Sequence, residues 1–204
     1  MASTSPKVTA KEIEEAIFQK YTRRQSHWIV LREVTIDDEE LIEELVSSQG
    51  ELPLWARRSE SNARRLAVTR SGKTVRRRID VLLINHKKSS VKIPRERIAL
   101  EIKVSRSDFL SETDEKRAPW RRFADKFAYV APAGMIKPSE LPEGCGLMEY
   151  RQDKWGRPEL VWKKTAKAYP TVDRSISPNF GHYLLTRLHE AEQRLRRLAQ
   201  VAAV

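Results

Sequence analysis

Three charged side chains lie within two apolar stretches of this 204-residue chain. Asp80 interrupts the apolar run 79–84, while Glu101 and Lys103 lie two residues apart in the run 98–104. Nearly continuous apolar runs of this length are typical of strands that are buried on both faces. Because side chains alternate between the two faces of a strand, Glu101 and Lys103 share a face. Burying charge is costly unless it is paired or bound to a metal, so the pattern indicates a functional cluster.

Two carboxylates and a lysine can support hydrolysis of a phosphodiester bond. That reaction needs an activated water, charge stabilisation in the transition state and help for the leaving oxygen, and Mg²⁺ contributes to all three. Mg²⁺ takes hard oxygen ligands and retains waters, so Asp80, Glu101 and the backbone carbonyl of Ile102 form a sufficient protein ligand set. Lys103 would orient or deprotonate the attacking water, and a nearby metal would lower its pKa for the second role. The alternative interpretation is a structural ion pair among Asp80, Glu101 and Lys103.

The sequence around these residues resembles a known nuclease superfamily. Residues 77–81 read Arg-Arg-Ile-Asp-Val, and residues 101–109 read Glu-Ile-Lys-Val-Ser-Arg-Ser-Asp-Phe. This D…ExK arrangement resembles the PD-(D/E)xK nucleases, with Ile79 in place of the proline, and the wider stretch resembles the MmcB-like DNA-repair endonucleases. The resemblance covers about residues 77–148. It implies an α/β fold like that of restriction endonucleases, with a mixed central sheet flanked by helices and the site at one edge of the sheet.

The resemblance implies a Mg²⁺- or Mn²⁺-dependent nuclease that acts on DNA in repair, recombination or phage DNA processing. Asp80, Glu101 and Lys103 would be catalytic, and Asp80, Glu101 and Ile102 would hold the metal. Many superfamily members add a carboxylate from an early helix or strand; Glu33 is the first candidate, with Glu14 or Glu15 second, and solvated surface acids are the alternative. Two other functions stay open: a non-catalytic nucleic-acid-binding or adaptor protein on the same fold, and a nuclease that acts on RNA.

The strongly basic composition favours a polyanionic partner. The net charge is +11 and the pI is about 9.9, and nine basic residues face one acidic residue between positions 57 and 78. Such a surface favours nucleic acid, although a basic protein with no polyanionic partner is the alternative. Arginine forks suit phosphate oxygens, and the alternative for several of them is a solvated helix face paired with nearby acids. The candidate phosphate contacts are Arg77, Arg78, Arg106, Lys116, Arg117, Arg121 and Arg122.

Composition also limits compartment and domain organisation. A single cysteine, Cys145, permits no intramolecular disulfide, so a reducing, cytoplasmic compartment is expected. No apolar run reaches the length of a membrane span. The length predicts one domain over 1–204, with a core at about 9–165 and a C-terminal helix at about 179–201. Leucines in that helix alternate at four and three residues, so it can pack on its own core or against a partner helix in a homodimer.

Local patterns predict most of the elements that would position the cluster. Thr9 and Glu12 form a capping box for a helix over 10–22, and Asp37 or Asp38 begins a second helix that stops at Gly50. Ser71-Gly72 predicts a turn between short strands at 66–69 and from 74 onward. Asp108 is the expected cap of a helix beginning at 105–112, and a helix over 114–125 is expected to break at Pro119. Further strands are expected at 28–31, 34–36, 127–130, 147–150 and 160–162.

Overall fold

Six strands form one mixed sheet in the first of two units into which the chain divides, Met1–Val172 and Asp173–Val204. The structure is a computed structural model and describes residues 8–23, 26–85, 87, 96–170 and 178–202. The strands are β1 (Trp28–Asp37), β2 (Arg76–Asn85), β3 (Arg97–Ile102), β4 (Lys126–Pro132), β5 (Gly146–Gln152) and β6 (Pro158–Lys164). The helices are α1 (Ala10–Tyr21), α2 (Glu39–Ser47), α3 (Leu54–Arg57), α4 (Glu60–Ser71), α5 (Arg106–Leu110) and α6 (Asp114–Phe123), and in the second unit α7 (Pro178–Ala202).

The strand order follows the sequence from β1 to β6. β1, β2 and β3 pair antiparallel, β3, β4 and β5 pair parallel, and β6 pairs antiparallel with β5. The parallel connection from β3 to β4 runs through α5 and α6. The predicted α/β class, with a mixed central sheet flanked by helices, is therefore confirmed. The loop expected after β2 lies almost entirely outside the described residues.

Helix α1 covers one face of the sheet. The hydroxyl of Thr9 accepts the N–H of Glu12 at 3.2 Å, and the Glu12 carboxylate accepts the N–H of Thr9 at 2.7 Å, which confirms the predicted capping box. Ile13 and Ile17 are fully buried on this face among a cluster that includes Leu100. Each fully buried isoleucine stabilises the fold by about 1.5–3 kcal/mol. Because α1 packs on the face of the even-numbered residues of β3, the opposite face belongs to Glu101.

Helices α5 and α6 pack on the Glu101 face. Tyr129 on β4 lies across from Glu101 in the strand register. The ring of Phe109 on α5 meets the Tyr129 ring edge-on with centroids 5.3 Å apart, and Arg117 on α6 donates to the Tyr129 hydroxyl at 3.0 Å. The chain that follows β3 therefore returns over the charged cluster.

The region before β2 is helical, and the predicted strand at 66–69 is wrong. Ser59 caps α4 by accepting the N–H of Asn62 at 3.2 Å, and Ala63 and Ala67, one helical turn apart, are buried. Gly72 ends the helix with a φ of +64°, a conformation that glycine adopts without a Cβ penalty. A short apolar run such as residues 66–69 fits a strand and a helix equally well, and the capping residues decide between the two.

Two predicted features of the β3–β4 connection are also wrong. Ser105, and not Asp108, caps α5, because its hydroxyl accepts the N–H of Asp108 at 3.2 Å. Helix α6 continues through Pro119 to Phe123. A proline removes a single i→i−4 hydrogen bond, and the burial of Pro119 and Trp120 offsets that loss.

The described residues of the second unit, 178–202, form one long helix. α7 spans Pro178–Ala202, close to the predicted bounds, and Arg196 pairs with Glu192 one turn earlier at 2.6 Å. Within the part of the chain that the structure describes, no helix combines the length and apolar character needed to cross a membrane.

Candidate functional site

The site lies where two inner strands of the sheet separate. β2 and β3 pair as far as Val81 and Leu100, so Asp80 and Glu101 are the next residues facing each other. Beyond that point the side chain of Asp80 accepts the N–H of Ile102 at 2.7 Å. The expected position at an edge of the sheet is therefore corrected: both carboxylates stand on inner strands, at the point where their pairing ends.

The backbone of Ile102 faces this gap between β2 and β3. The backbone N–H of Lys103 donates to the carbonyl of Val130 on β4. The N–H of the preceding residue, Ile102, therefore points the other way, to β2, where the Asp80 carboxylate accepts it. In a strand, the N–H and C=O of one residue point to the same neighbour. The carbonyl of Ile102, the third predicted metal ligand, is therefore expected on the side of Asp80.

Lys103 is buried and surrounded by carboxylates. The residue is 4% exposed, and its ammonium donates to Glu112 at 2.8 Å, to Glu101 at 3.1 Å and to Asp108 at 3.4 Å. Sequence reasoning did not place Asp108 or Glu112 in the site. Both follow Lys103 within nine residues, and the only signal was that a helix starting directly after β3 would carry them back over it.

Burial raises the pKa of both carboxylates predicted to bind the metal. Burial raises the pKa of Glu101 to about 7, the neighbouring Asp80 carboxylate adds to the rise, and Lys103 opposes it. Burial also raises the pKa of Asp80 above its usual value, although the hydrogen bond from the N–H of Ile102 and the charge of Arg78 both lower it. A cation between two half-buried, repelling carboxylates would relieve this penalty, so the pair fits a divalent metal.

The ligand set fits Mg²⁺ better than a metal that needs an all-protein cage. Among the described residues, no three His, Cys, Asp or Glu side chains are grouped so as to hold a metal ion. Mg²⁺ is commonly held by one or two carboxylates, with waters and substrate oxygens completing its shell. Asp80, Glu101 and the Ile102 carbonyl match that pattern.

The contacts of Lys103 favour a positioned cation over a general base. Burial alone lowers the pKa of Lys103, but the hydrogen bonds and charges of Glu112 and Glu101 outweigh burial and raise it. An ammonium held in this way can stabilise negative charge or orient a water, and it gives up its proton reluctantly.

Removing the Glu101 carboxylate is expected to flatten the pH dependence of stability in EDTA. The pKa of Glu101 rises on folding from its usual 4.5 to about 7. Its contribution to stability is therefore fully present below pH 4.5 and is lost as the pH rises through 7. Relative to Glu101→Gln, the wild type should lose about 3 kcal/mol of unfolding free energy from acid to mildly alkaline pH. Urea unfolding across this range measures the difference, and parallel pH profiles for the two proteins would disprove it.

Glu33 lies beside Asp80 in a strained backbone conformation. The β1–β2 register pairs the residues on either side, so Glu33 and Asp80 stand across from each other. The φ of Glu33 is 49°, a left-handed value inside a strand, and its carboxylate lies 3.5 Å from the guanidinium of Arg78. Such strain is concentrated at functional sites. Glu33 is close to the cluster, but its side chain is 66% exposed and does not complete a three-carboxylate group with Asp80 and Glu101.

Glu33→Gly is expected to raise the unfolding free energy by about 1 kcal/mol, because glycine adopts a positive φ without a Cβ clash. Glu33→Gln is the matched control, since it removes the charge and keeps the backbone penalty. Urea unfolding of the three proteins compares them. A glycine variant less stable than the glutamine variant would show that the left-handed conformation carries no penalty.

Glu14 and Glu15 are not brought to the cluster. Both lie on α1, which packs on the face of the sheet opposite Glu101. Arg32 pairs with Glu14 at 3.0 Å and with Glu15 at 3.1 Å. The two carboxylates therefore neutralise a basic residue of β1.

A cleft of ≈ 200 Å³ opens beside Glu101. Two of its basic residues form ion pairs, Arg77 with Asp38 at 3.0 Å and Arg78 with Glu33. A third, Lys116, has no carboxylate within ion-pair distance among the described residues. The cleft thus joins the acidic cluster to a basic rim. Its lining residues are Arg76, Arg77, Arg78, Ile79, Glu101, Glu112, Lys116, Trp120 and Phe127.

The remaining predicted phosphate contacts are held by acids of the protein. Arg106 donates to Glu140 at 2.8 Å and to the carbonyl of Met135 at 3.0 Å. Arg117 is buried and pairs with Asp114 at 2.7 Å, so it supports the packing of α6. Arg121 pairs with Asp114 and Arg122 with Glu40. Trp120 is 1% exposed and belongs to the core.

Comparisons with protein-family models, curated proteins and solved structures found no significant match to this chain. The class of protein therefore rests on the resemblance of residues 77–81 and 101–109 to the PD-(D/E)xK nucleases, which stays a prediction. What the structure adds is geometric: Asp80, Glu101 and Lys103 converge on one face of a mixed α/β sheet.

Proposed function

We propose that this protein is a metal-dependent nuclease that hydrolyses phosphodiester bonds of DNA. One observation carries the proposal: Asp80 and Glu101 stand side by side on β2 and β3, with the ammonium of Lys103 hydrogen-bonded to Glu101. The cleft beside Glu101 has a rim of arginines and a lysine that suits phosphate oxygens. A role in repair, recombination or phage DNA processing, and a cytoplasmic location, belong to the same proposal and rest on the sequence.

Each side chain has a separate task in this proposal. Asp80, Glu101 and the Ile102 carbonyl would hold Mg²⁺ or Mn²⁺, which supplies Lewis-acid chemistry at the scissile phosphate when bound. The N–H of Ile102 fixes the orientation of Asp80. Glu112 and Asp108 hold the Lys103 ammonium next to Glu101, and its longest contact, to Asp108 at 3.4 Å, is the one that it would exchange for a water or a phosphoryl oxygen. Arg78 and Lys116 bind the phosphates that flank the scissile bond.

The proposal is tested by incubating the protein with single-stranded, duplex and branched DNA, and with matched RNA. Each substrate is tested with Mg²⁺, with Mn²⁺ and with EDTA. We expect DNA products only with a divalent metal. Preferential cleavage of RNA would redirect the proposal to an RNA nuclease, and no products from any substrate would reject catalysis by the chain alone.

A second function, non-catalytic nucleic-acid binding, is favoured by one specific observation. The Lys103 ammonium already has three carboxylate partners, so the cluster can serve as a structural ion network. This function predicts salt-sensitive binding of DNA with no metal-dependent turnover. The substrate panel separates the two functions, because DNA binding without cleavage products supports non-catalytic binding and contradicts the nuclease.

A further inference from the structure

The turn between β5 and β6 presents an aromatic side chain to solvent. Of the five tryptophans, Trp155 is the most exposed, at 66%. Tryptophan is enriched in interfaces, because its large apolar surface gains free energy on burial. Exposure alone assigns no role, since Trp55 is also exposed, and the turn and charges around Trp155 decide its case.

The turn is held in one conformation by Asp153. Its carboxylate accepts the N–H of Trp155 at 2.8 Å and the N–H of Arg157 at 2.9 Å, and it also pairs with the Arg157 guanidinium at 2.9 Å. The backbone closes the turn through a bond from Asp153 to Arg157, and Gly156 supplies the positive φ of +75° that the turn requires. Trp155 is thus displayed on a preorganised hairpin, so little entropy is lost when it binds a ligand.

Two cations lie against the exposed ring. The ammonium of Lys154 is 4.2 Å from the ring centroid of Trp155, and the guanidinium carbon of Arg157 is 4.6 Å from it. Asp153 fixes Arg157, whereas no carboxylate among the described residues lies within ion-pair distance of Lys154. Lys154 can therefore leave the ring for a phosphate when a flat ligand takes its place. An aromatic ring beside a cation that has no carboxylate partner among the described residues matches an unpaired nucleotide, which offers a base to stack on and a phosphate to pair with.

The hairpin points to the same end of the sheet as the acidic cluster. β3, β4 and β5 are parallel neighbours, and their register aligns Glu101 with Tyr129 and Tyr129 with Leu147. β5 continues from Leu147 to Gln152, which places the turn about 17 Å beyond the level of Glu101 and about 10 Å to its side. The resulting separation of about 20 Å corresponds to about six stacked nucleotides of one strand.

We propose that the β5–β6 hairpin is a second nucleic-acid contact, in which Trp155 stacks on an unpaired base of a strand that also reaches the cleft at Glu101. This inference rests on the proposed function for its ligand, and it adds a preference for single-stranded segments. Lys154 binds the phosphate next to the stacked base.

The test is the affinity of the full chain, in EDTA, for a labelled oligothymidylate long enough to span both contacts and for a duplex of the same length. Trp155→Ala is expected to weaken oligothymidylate binding by about tenfold or more, and Trp155→Phe by less than about threefold. Trp55→Ala is the matched control, because Trp55 on α3 is also exposed, at 50%. Trp55→Ala should change the affinity for oligothymidylate by less than about twofold. Trp155→Ala should likewise change the affinity for the duplex by less than about twofold.

Oligothymidylate affinity of Trp155→Ala within twofold of wild type would overturn the inference, and so would a wild-type chain that binds only duplex. A change in the sedimentation of the free protein, with affinity unchanged, would also overturn it and assign Trp155 to a contact between copies. If Trp155→Ala changes neither the affinity for oligothymidylate nor the cleavage rate, the hairpin contact is rejected and the proposed nuclease is unaffected. Conversely, Trp155-dependent binding by a chain that cleaves nothing would support the hairpin contact and contradict the proposed catalysis.

Discussion

Asp80→Asn and Glu101→Gln should each lower the rate of metal-dependent DNA cleavage by about 1000-fold or more, a loss of about 4 kcal/mol of transition-state stabilisation. Each change removes one of the two charged metal ligands and keeps the shape of the side chain. Affinity for DNA should change little, because the phosphate contacts lie on the basic rim of the cleft. Initial rates of cleavage and binding isotherms measure the two effects separately.

Glu115→Gln is the matched control for these variants. Glu115 is an exposed carboxylate on α6, and its loss lowers the negative charge by the same amount without touching the cluster. Cleavage by this control should stay within about twofold of wild type. Equal losses of binding and cleavage in folded Asp80→Asn would argue that Asp80 contributes to affinity and has no separate role in the reaction.

Lys103→Met should abolish cleavage and also destabilise the fold by about 3 kcal/mol at neutral pH. The substitution leaves Glu101 and Glu112 close together and buried, with no cation to neutralise them. Lys103→Met combined with Glu112→Gln removes one of these charges, so it should recover part of the lost stability. Cleavage should remain at least about 100-fold below wild type in both variants, because the ammonium is absent from each.

This pair of variants separates the catalytic from the structural interpretation of the cluster. If Lys103 serves only as an ion-pair partner, the double variant should regain cleavage together with stability. Urea unfolding and cleavage rates on the same preparations decide between the two outcomes. A double variant that is as stable as wild type and fully active would reject a catalytic role for Lys103.

The placement of Asp80, Glu101 and Lys103 on two buried strands followed from the sequence because it depends on local rules, whereas the residue-by-residue pairing of those strands across the intervening loop did not. Two apolar runs, each with charge in its interior, predicted two buried strands, and alternation along a strand put Glu101 and Lys103 on one face. The capping box at Thr9 predicted the start of α1 in the same way. These features depend on residues close in the chain, so the sequence contains the whole signal.

The surroundings of the cluster depended on tertiary contacts and could not be predicted. Asp108 and Glu112 reach Lys103 only because α5 folds back over β3, and Arg106 meets Glu140 across 34 positions of sequence. Arg117 was predicted to contact phosphate, yet the packing of α6 buries it against Tyr129. The number of basic residues gives the charge of a segment, but it does not reveal which of them form ion pairs with acids in the folded protein.

The most direct test of the central claim is the binding of Mn²⁺ to the purified protein, followed by electron paramagnetic resonance and calorimetry. Asp80 and Glu101 should hold Mn²⁺ in the wild type at mildly alkaline pH, where both carboxylates are ionised. Asp80→Asn and Glu101→Gln should each weaken this binding by about tenfold or more, and Glu115→Gln should not. Folded wild-type protein that binds no Mn²⁺, with or without DNA, or Mn²⁺ binding that is unchanged in both variants, would contradict the assignment of these carboxylates as a metal site.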